Sequence, residues 1–185
     1  YIIITDGGSG SNEPGLTHDY IVNMRREEQI AAAAAVGVTD IRFLGYPDGT
    51  LQPTIELRRD ITRIIRETKP YRFVCQDPTT YFVRSGYINH PDHRAAGEAS
   101  IYAAFPSAET RPIFPELLDE GLEPHKLGEV YLNLSMDATH YVDITSTIDD
   151  KVNSLRAHVS QLGEGDDFEN GAKQWILQSN ADGGK

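Results

Sequence analysis

The chain has 185 residues, of which 17 are lysine or arginine and 28 aspartate or glutamate, so its formal net charge is −11. That length suits one domain able to bury roughly 70% of its unfolded surface, and that charge excludes a general nucleic-acid-backbone binder, which needs clustered basic side chains. The single cysteine, Cys75, excludes an internal disulfide and fits a reducing, cytoplasmic setting, and no apolar run reaches the roughly 20 residues of a membrane span.

Tyr1-Ile2-Ile3-Ile4 is a continuous apolar, β-branched run and predicts a strand buried on both faces, broken at Thr5-Asp6-Gly7-Gly8. Residues 7–15 read as a loop. Residues 19–36 are rich in helix formers, including alanines 31–35, with Gly37 placed to cap the C-terminus. Residues 38–44 predict a second strand, stopped by the turn Gly45-Tyr46-Pro47-Asp48-Gly49. Leu57, Ile61, Ile64 and Ile65 recur at helical spacing until Pro70 ends the run. Residues 72–75 form a third short strand, and a loop begins at Gln76-Asp77-Pro78. A helix near residues 94–104 leads into a Pro-rich passage around Pro106, Pro112, Pro115 and Pro124, read as a long excursion within the domain. Strands are expected at 130–134 and 141–144. A last helix is expected over 148–161, with Thr145 or Ser146 as cap and Ile148, Val152, Leu155 and Val159 facing inward. A short Trp175-Ile176-Leu177 patch follows.

Strands alternating with helices of this length predict an α/β, Rossmann-like fold with a mostly parallel sheet flanked by helices. In such folds the ligand crevice lies beyond the carboxyl ends of the strands. The loops at 6–15, 46–49 and 76–93 are then the ones that matter. Gly7-Gly8-Ser9-Gly10 follows a strand, but it lacks the spacing of a dinucleotide fingerprint, and no helix starts directly after it.

The densest chemistry lies in Tyr87-Ile88-Asn89-His90-Pro91-Asp92-His93-Arg94. Pro91 has the position of a first helical residue, and Asp92 falls in the first turn, where it complements the helix dipole. His90 and His93 therefore stand at the mouth of a helix, able to address one point. A ligating histidine needs a partner that fixes its tautomer, and Asp92 or a neighbouring carboxylate is the candidate. A catalytic zinc takes three protein ligands and one open position. This cluster offers one or two, and Asp6, Glu13, His18, Asp48 and Asp77 are the loop residues able to add more. The plain alternative is that His90 and Asp92 cap a helix. His18, His125, His140, His158 and Cys75 read as ordinary structural residues.

Thr5-Asp6-Gly7, Arg25-x-x-Glu28-Gln29, Leu44-Gly45-Tyr46-Pro47-Asp48-Gly49, Asn89-His90-Pro91-Asp92-His93, Glu123-Pro124-His125-Lys126 and Val142-Asp143-Ile144-Thr145 occur together and in order. In this the sequence resembles the zinc-dependent de-N-acetylases similar to N-acetylglucosaminyl-phosphatidylinositol deacetylase, the LmbE-like proteins, from Tyr1 to about Gln161. The resemblance implies hydrolysis of the acetamide of an N-acetylglucosamine-type conjugate, with Zn2+ or another divalent ion such as Fe2+ as cofactor. It implies that His93 is a metal ligand, that His90 stabilises the oxyanion, and that Asp92 orients His90. It gives Arg25, Asp48, Tyr87 and Asn89 to the substrate.

The family's first motif, Pro-His-Pro-Asp-Asp at the end of a first strand, supplies its other ligands and its general base, and this sequence has no counterpart. The chain is therefore expected to start downstream of the native start, as a fragment inactive alone, or else to be a relative without the metal site. The rival function is a non-catalytic module that binds a sugar or nucleotide. The expected partner is a small amino-sugar conjugate, reached without a membrane span or nucleic acid. A homo-oligomer is compatible with the sequence. Arg25, Arg84 and Arg94 are the residues able to form a local basic patch on this acidic chain.

Overall fold

The computed structural model describes residues 1–83 and 86–162. Arg84 of the expected basic patch and the Trp175-Ile176-Leu177 patch lie outside the described residues. In chain order the elements are β1 (Ile2–Thr5), α1 (His18–Ala35), β2 (Arg42–Tyr46), α2 (Ile55–Thr68), β3 (Arg72–Gln76), β4 (Phe82–Val83), β5 (Tyr87–Ile88), α3 (Pro91–Tyr102), α4 (Glu116–Asp119), β6 (Glu129–Asn133), α5 (Ile148–Arg156) and α6 (Val159–Leu162). The α/β class read from the sequence is what the chain adopts. Its strands pair in twos: β1 with β2 and β3 with β6, both parallel, and β4 with β5, antiparallel. Two compact units result, Tyr1–Asp48 with the described residues from 138 onward, and Gly49–Asp137.

In the first unit α1 is the crossover that a parallel pair requires. Its start is capped by Thr17, whose hydroxyl accepts the Tyr20 N–H at 3.3 Å. At its other end Gly37 takes φ +74° and the Val38 N–H donates to the Ala33 carbonyl at 2.9 Å. Val38 is thus used up in closing the helix, and β2 begins at Arg42, later than the apolar run suggests.

Four expectations fail in this unit. Residues 141–144 are not a strand. Tyr141 and Val142 are exposed, and the Asp143 carboxylate accepts the Thr145 N–H at 2.9 Å, turning the chain into a 3-10 turn at Thr145–Thr147. Neither Thr145 nor Ser146 caps α5, because Thr147 precedes it and makes no side-chain capping bond. The single helix expected over 148–161 is also broken, between α5 and α6. The Ser160 N–H and hydroxyl donate to the two oxygens of Glu28 on α1, at 2.6 and 2.8 Å, and the chain bends to reach them. Val152 is buried as expected, while Val159 is exposed.

The second unit is organised by α2, started by Thr54, whose hydroxyl accepts the Leu57 N–H at 3.2 Å. Leu57, Ile61, Ile64 and Ile65 are all buried, as their spacing predicts. Lys69 closes the helix in the left-handed conformation ahead of Pro70. Among these apolar side chains sits Arg66, fully buried. Its guanidinium donates to the carbonyls of Ser107 (2.8 Å), Thr110 (3.1 Å), Ile113 (3.2 Å) and Ala108 (3.3 Å). Arg66 thus holds the Pro-rich excursion against α2 with a fork of donors that matches a curved run of carbonyls, joined by Arg58 on the Ser107 hydroxyl and Arg63 on Glu120. His125 serves the same passage, bonding the Pro70 carbonyl through Nε2 at 2.8 Å.

Helix α3 packs on β3, and Gly97 is what allows it. A Cβ there would overlap the Gln76 carbonyl, so no larger residue fits without moving the helix off the strand end.

Arg66→Met keeps the apolar stem but strands several buried carbonyls, and should lower stability by about 3 kcal/mol. The check is the urea midpoint measured with an unchanged m value.

Candidate active site

The predicted site residues of the second unit converge where β5 hands over to α3. Pro91 opens the helix, and its missing N–H is no loss at that position. His90 takes the N-cap position usually held by a small polar residue: its Nδ1 accepts the Asp92 N–H at 3.2 Å. An accepting Nδ1 carries no proton, so the neutral ring holds its proton on Nε2 and offers a donor there. The ring is about half exposed, at 45%.

Asp92 is buried. Its Oδ2 accepts the Gly49 N–H at 2.7 Å and its Oδ1 the Leu51 N–H at 3.1 Å. Its carboxylate stands 4.0 Å from His90 Nδ1. The hold it has on that ring comes through its backbone N–H, while the side chain pins the segment at 49–51 to the start of the helix.

Asn89, 2% exposed, fixes the second imidazole. Its backbone N–H donates to the Tyr81 carbonyl at 2.9 Å and its Nδ2 to the Thr80 carbonyl at 2.8 Å. With the amide nitrogen so engaged, the atom 3.3 Å from His93 Nδ1 is the amide oxygen, an acceptor. His93 therefore carries its ring proton on Nδ1 and its basic lone pair on Nε2, the form in which histidine binds metals. The two rings lie 5.4 Å apart, centre to centre. They present opposite chemistry: a donor Nε2 on His90 and a lone-pair Nε2 on His93. Among the described residues no three His, Cys, Asp or Glu side chains gather closely enough to hold a metal ion. These residues alone do not fit a metal.

The remaining predicted residues have other surroundings. Tyr87 lies on β5, exposed, opposite Val83. Asp77 is buried, accepting the Thr79 N–H at 2.8 Å and hydroxyl at 2.6 Å. Burial works to raise its pKa, but hydrogen bonds from Thr79, Ser135 and Thr80 outweigh it, and the carboxyl lies below the ordinary 3.8. Burial, with the Asp77 charge adding to it, pushes the Cys75 thiol up to about 11, which marks a packing residue.

In the first unit Asp48 accepts the Ser9 N–H at 3.2 Å and gives its own N–H to Asp6 at 3.2 Å. Asp6 also receives the Gly8 N–H at 2.9 Å, with His18 Nε2 at 3.5 Å from its other oxygen. Arg25 bonds Glu28 at 3.2 Å, and Glu13 is exposed.

Sequence reasoning missed the β4–β5 hairpin, whose Thr80 and Tyr81 carbonyls place Asn89. The signal was present: Phe82-Val83 and Tyr87-Ile88 flank Gly86, which takes φ +87°. It also missed that Arg94 lies over the Tyr81 ring, 3.5 Å from its centre.

The family described as PIG-L: GlcNAc-PI de-N-acetylase matches residues 1–104, which include the whole Asn89–His93 constellation. The chain belongs to that family. It is 30% identical over 168 residues to the diacetylchitobiose deacetylase of Thermococcus kodakarensis, a match covering 89% of this chain and 59% of the relative. It is 29% identical to the probable N-acetyl-alpha-D-glucosaminyl L-malate deacetylase 2 of Bacillus anthracis, over 88% of this chain and 68% of the relative. The solved N,N'-diacetylchitobiose deacetylase of Pyrococcus horikoshii superposes with a TM-score of 0.82 at 30% identity, over 95% of this chain and 63% of that one. This PIG-L family chain thus spans about three fifths of the length of its diacetylchitobiose relatives. No helix among its described residues is long and apolar enough to cross a membrane.

Two outcomes follow from the buried carboxylates. Asp92→Asn presents one acceptor and one NH2 to two backbone N–H donors, and should cost about 1–3 kcal/mol in chemical denaturation. Asp77, whose pKa is lower folded than unfolded, stabilises the fold fully above about pH 5, and that contribution is lost as pH falls through the folded value. Asp77→Asn should therefore flatten the acid limb of a stability–pH curve below about pH 4 and leave its slope near pH 7 unchanged.

Proposed function

We propose that this PIG-L family protein hydrolyses the N-acetyl amide of an N-acetylglucosamine-type amino-sugar conjugate. In that reaction water adds to the acetamide carbonyl carbon, the carbonyl oxygen takes up negative charge, the C–N bond breaks, and acetate and a free amine leave. A donor preset at the developing oxyanion is worth the most in such a step. The observation that carries the reading is the histidine pair with its two inner nitrogens fixed in opposite senses. The Asp92 N–H at His90 Nδ1 leaves a donor Nε2–H suited to the carbonyl oxygen. The Asn89 oxygen at His93 Nδ1 leaves a basic Nε2.

His93 is accordingly assigned as one ligand of a divalent cation, Zn2+ or Fe2+. The described residues do not make up a ligand set, and no step is derived through the ion. His90 is assigned to the oxyanion, and Asp92 and Asn89 to positioning. Tyr87, Arg25 and Asp48 are assigned to the substrate. Membership in the family, and relatives named for the deacetylation of chitobiose and of a glucosaminyl malate, support the amide as the bond broken.

In the full-length protein, His90→Ala should lower kcat on N,N'-diacetylchitobiose by about 10²–10³-fold, the effect of removing one oxyanion donor, with a smaller change in KM. His93→Ala should lose bound metal, read by elemental analysis of the purified protein. Parental turnover in both variants would overturn the assignment. Sugar binding without acetate release in the unaltered protein would favour a binding module.

A further inference from the structure

The carboxyl ends of β3 and β6 lead into a pocket of about 280 Å3 that the histidine pair does not use. It is small, at the lower edge of the roughly 300–1,000 Å3 usual for ligand sites, a size for one ring and not two. Its apolar side is formed by Phe82, 66% exposed, and Met136, 51% exposed, beside polar groups. The polar side carries the hydroxyls of Thr79 and Ser135 and the exposed carboxylate of Asp137; Asp77 lines it too, but its buried carboxylate already accepts from Thr79 and supplies charge rather than a free acceptor. No basic side chain is among its described lining residues.

We propose that this pocket receives the second, neutral ring of the amino-sugar conjugate and discriminates against conjugates whose second part is an anion. A pyranose or cyclitol ring has an apolar C–H face and a rim of hydroxyls, which matches an aromatic and thioether floor beside hydroxyl and carboxylate acceptors. A carboxylate-bearing group would face the like charges of Asp77 and Asp137, with no cation among the described lining residues and Arg94 engaged on the ring of Tyr81, which is discrimination by repulsion. Asp77 is ionised through the neutral range, its hydrogen bonds holding its carboxyl below the ordinary value despite burial.

The pocket is also built into the site. The carbonyls of Thr80 and Tyr81, both lining residues, are the two that hold Asn89 and through it His93. A ring seated there braces the segment that sets the His93 tautomer, so the second ring acts on positioning as well as on affinity. The inference rests on the proposed deacetylation, and it adds which conjugates the site prefers.

The test compares N-acetylglucosamine, N,N'-diacetylchitobiose and N-acetylglucosaminyl L-malate as substrates of the full-length protein. Phe82→Ala should lower the ratio of kcat/KM for diacetylchitobiose to that for N-acetylglucosamine about tenfold. Asp137→Lys, at an exposed position, should raise the ratio for the malate conjugate over diacetylchitobiose about tenfold. Equal changes for all three substrates would overturn the inference. Saturation-transfer NMR with diacetylchitobiose decides independently of turnover: its signal should weaken in Phe82→Ala, and an undiminished signal counts against the pocket. If no acetamide is cleaved, the functional reading falls, and the binding measurement alone settles whether the ring sits here.

Discussion

The second unit depends on one buried carboxylate. Asp92 stands in the first turn of α3, where the helix dipole favours an anion, and both of its oxygens are taken by backbone N–H groups from the segment at 49–51. The burial of an ion is tolerable only when its lone pairs are met, and here they are met by peptide groups that would themselves be stranded without it. The same residue gives its N–H to His90 Nδ1. A single position thus fixes where α3 begins, how the preceding segment lies against it, and which nitrogen of His90 bears a proton.

That arrangement needs α3 to stay in place, and two other residues see to it. Gly97 lets the helix come down onto the Gln76 carbonyl at the end of β3, an approach a methyl group would prevent. Asn89 ties the residue before the N-cap to the hairpin carbonyls of Thr80 and Tyr81. A buried asparagine with two side-chain bonds and one backbone bond is a rigid object, and a rigid object is what a histidine tautomer requires. The two imidazoles owe their opposite chemistry to their neighbours Asp92 and Asn89. His90 reads a helix N-terminus and His93 reads an asparagine.

Much of this was legible in the residues. The α2 face followed from Leu57, Ile61, Ile64 and Ile65, because burial of a helix stripe leaves a period that composition cannot hide. The start of α3 followed from Pro91 and Asp92, and the meeting of His90 with His93 followed from that start. Part of what stayed hidden has one physical cause: bonds between groups distant in sequence leave no periodic trace. Arg66 reads as one more charge on a helix, yet it is fully buried and closes a passage some forty residues on. Residues 141–144 carry a strand-like composition, but the Asp143 turn overrode it. The α5–α6 break depends on Glu28, more than a hundred residues earlier.

The acidic residues show how little net charge says about a site. Of the chain's 28 carboxylates, Asp92, Asp77 and Asp6 spend theirs on backbone N–H donors, and Glu28 on Arg25 and Ser160. Each could be mistaken for a metal ligand on residue type alone. Accepting two strong hydrogen bonds ties up the oxygens a cation would need, and moving them would unlatch a turn or a helix start. Such carboxylates are poor ligands and good braces. The histidines differ because an imidazole has two separate nitrogens, so that fixing the character of one defines the character of the other. In a unit whose buried acids are committed to its own backbone, reactive capacity therefore concentrates in the two rings at the mouth of α3.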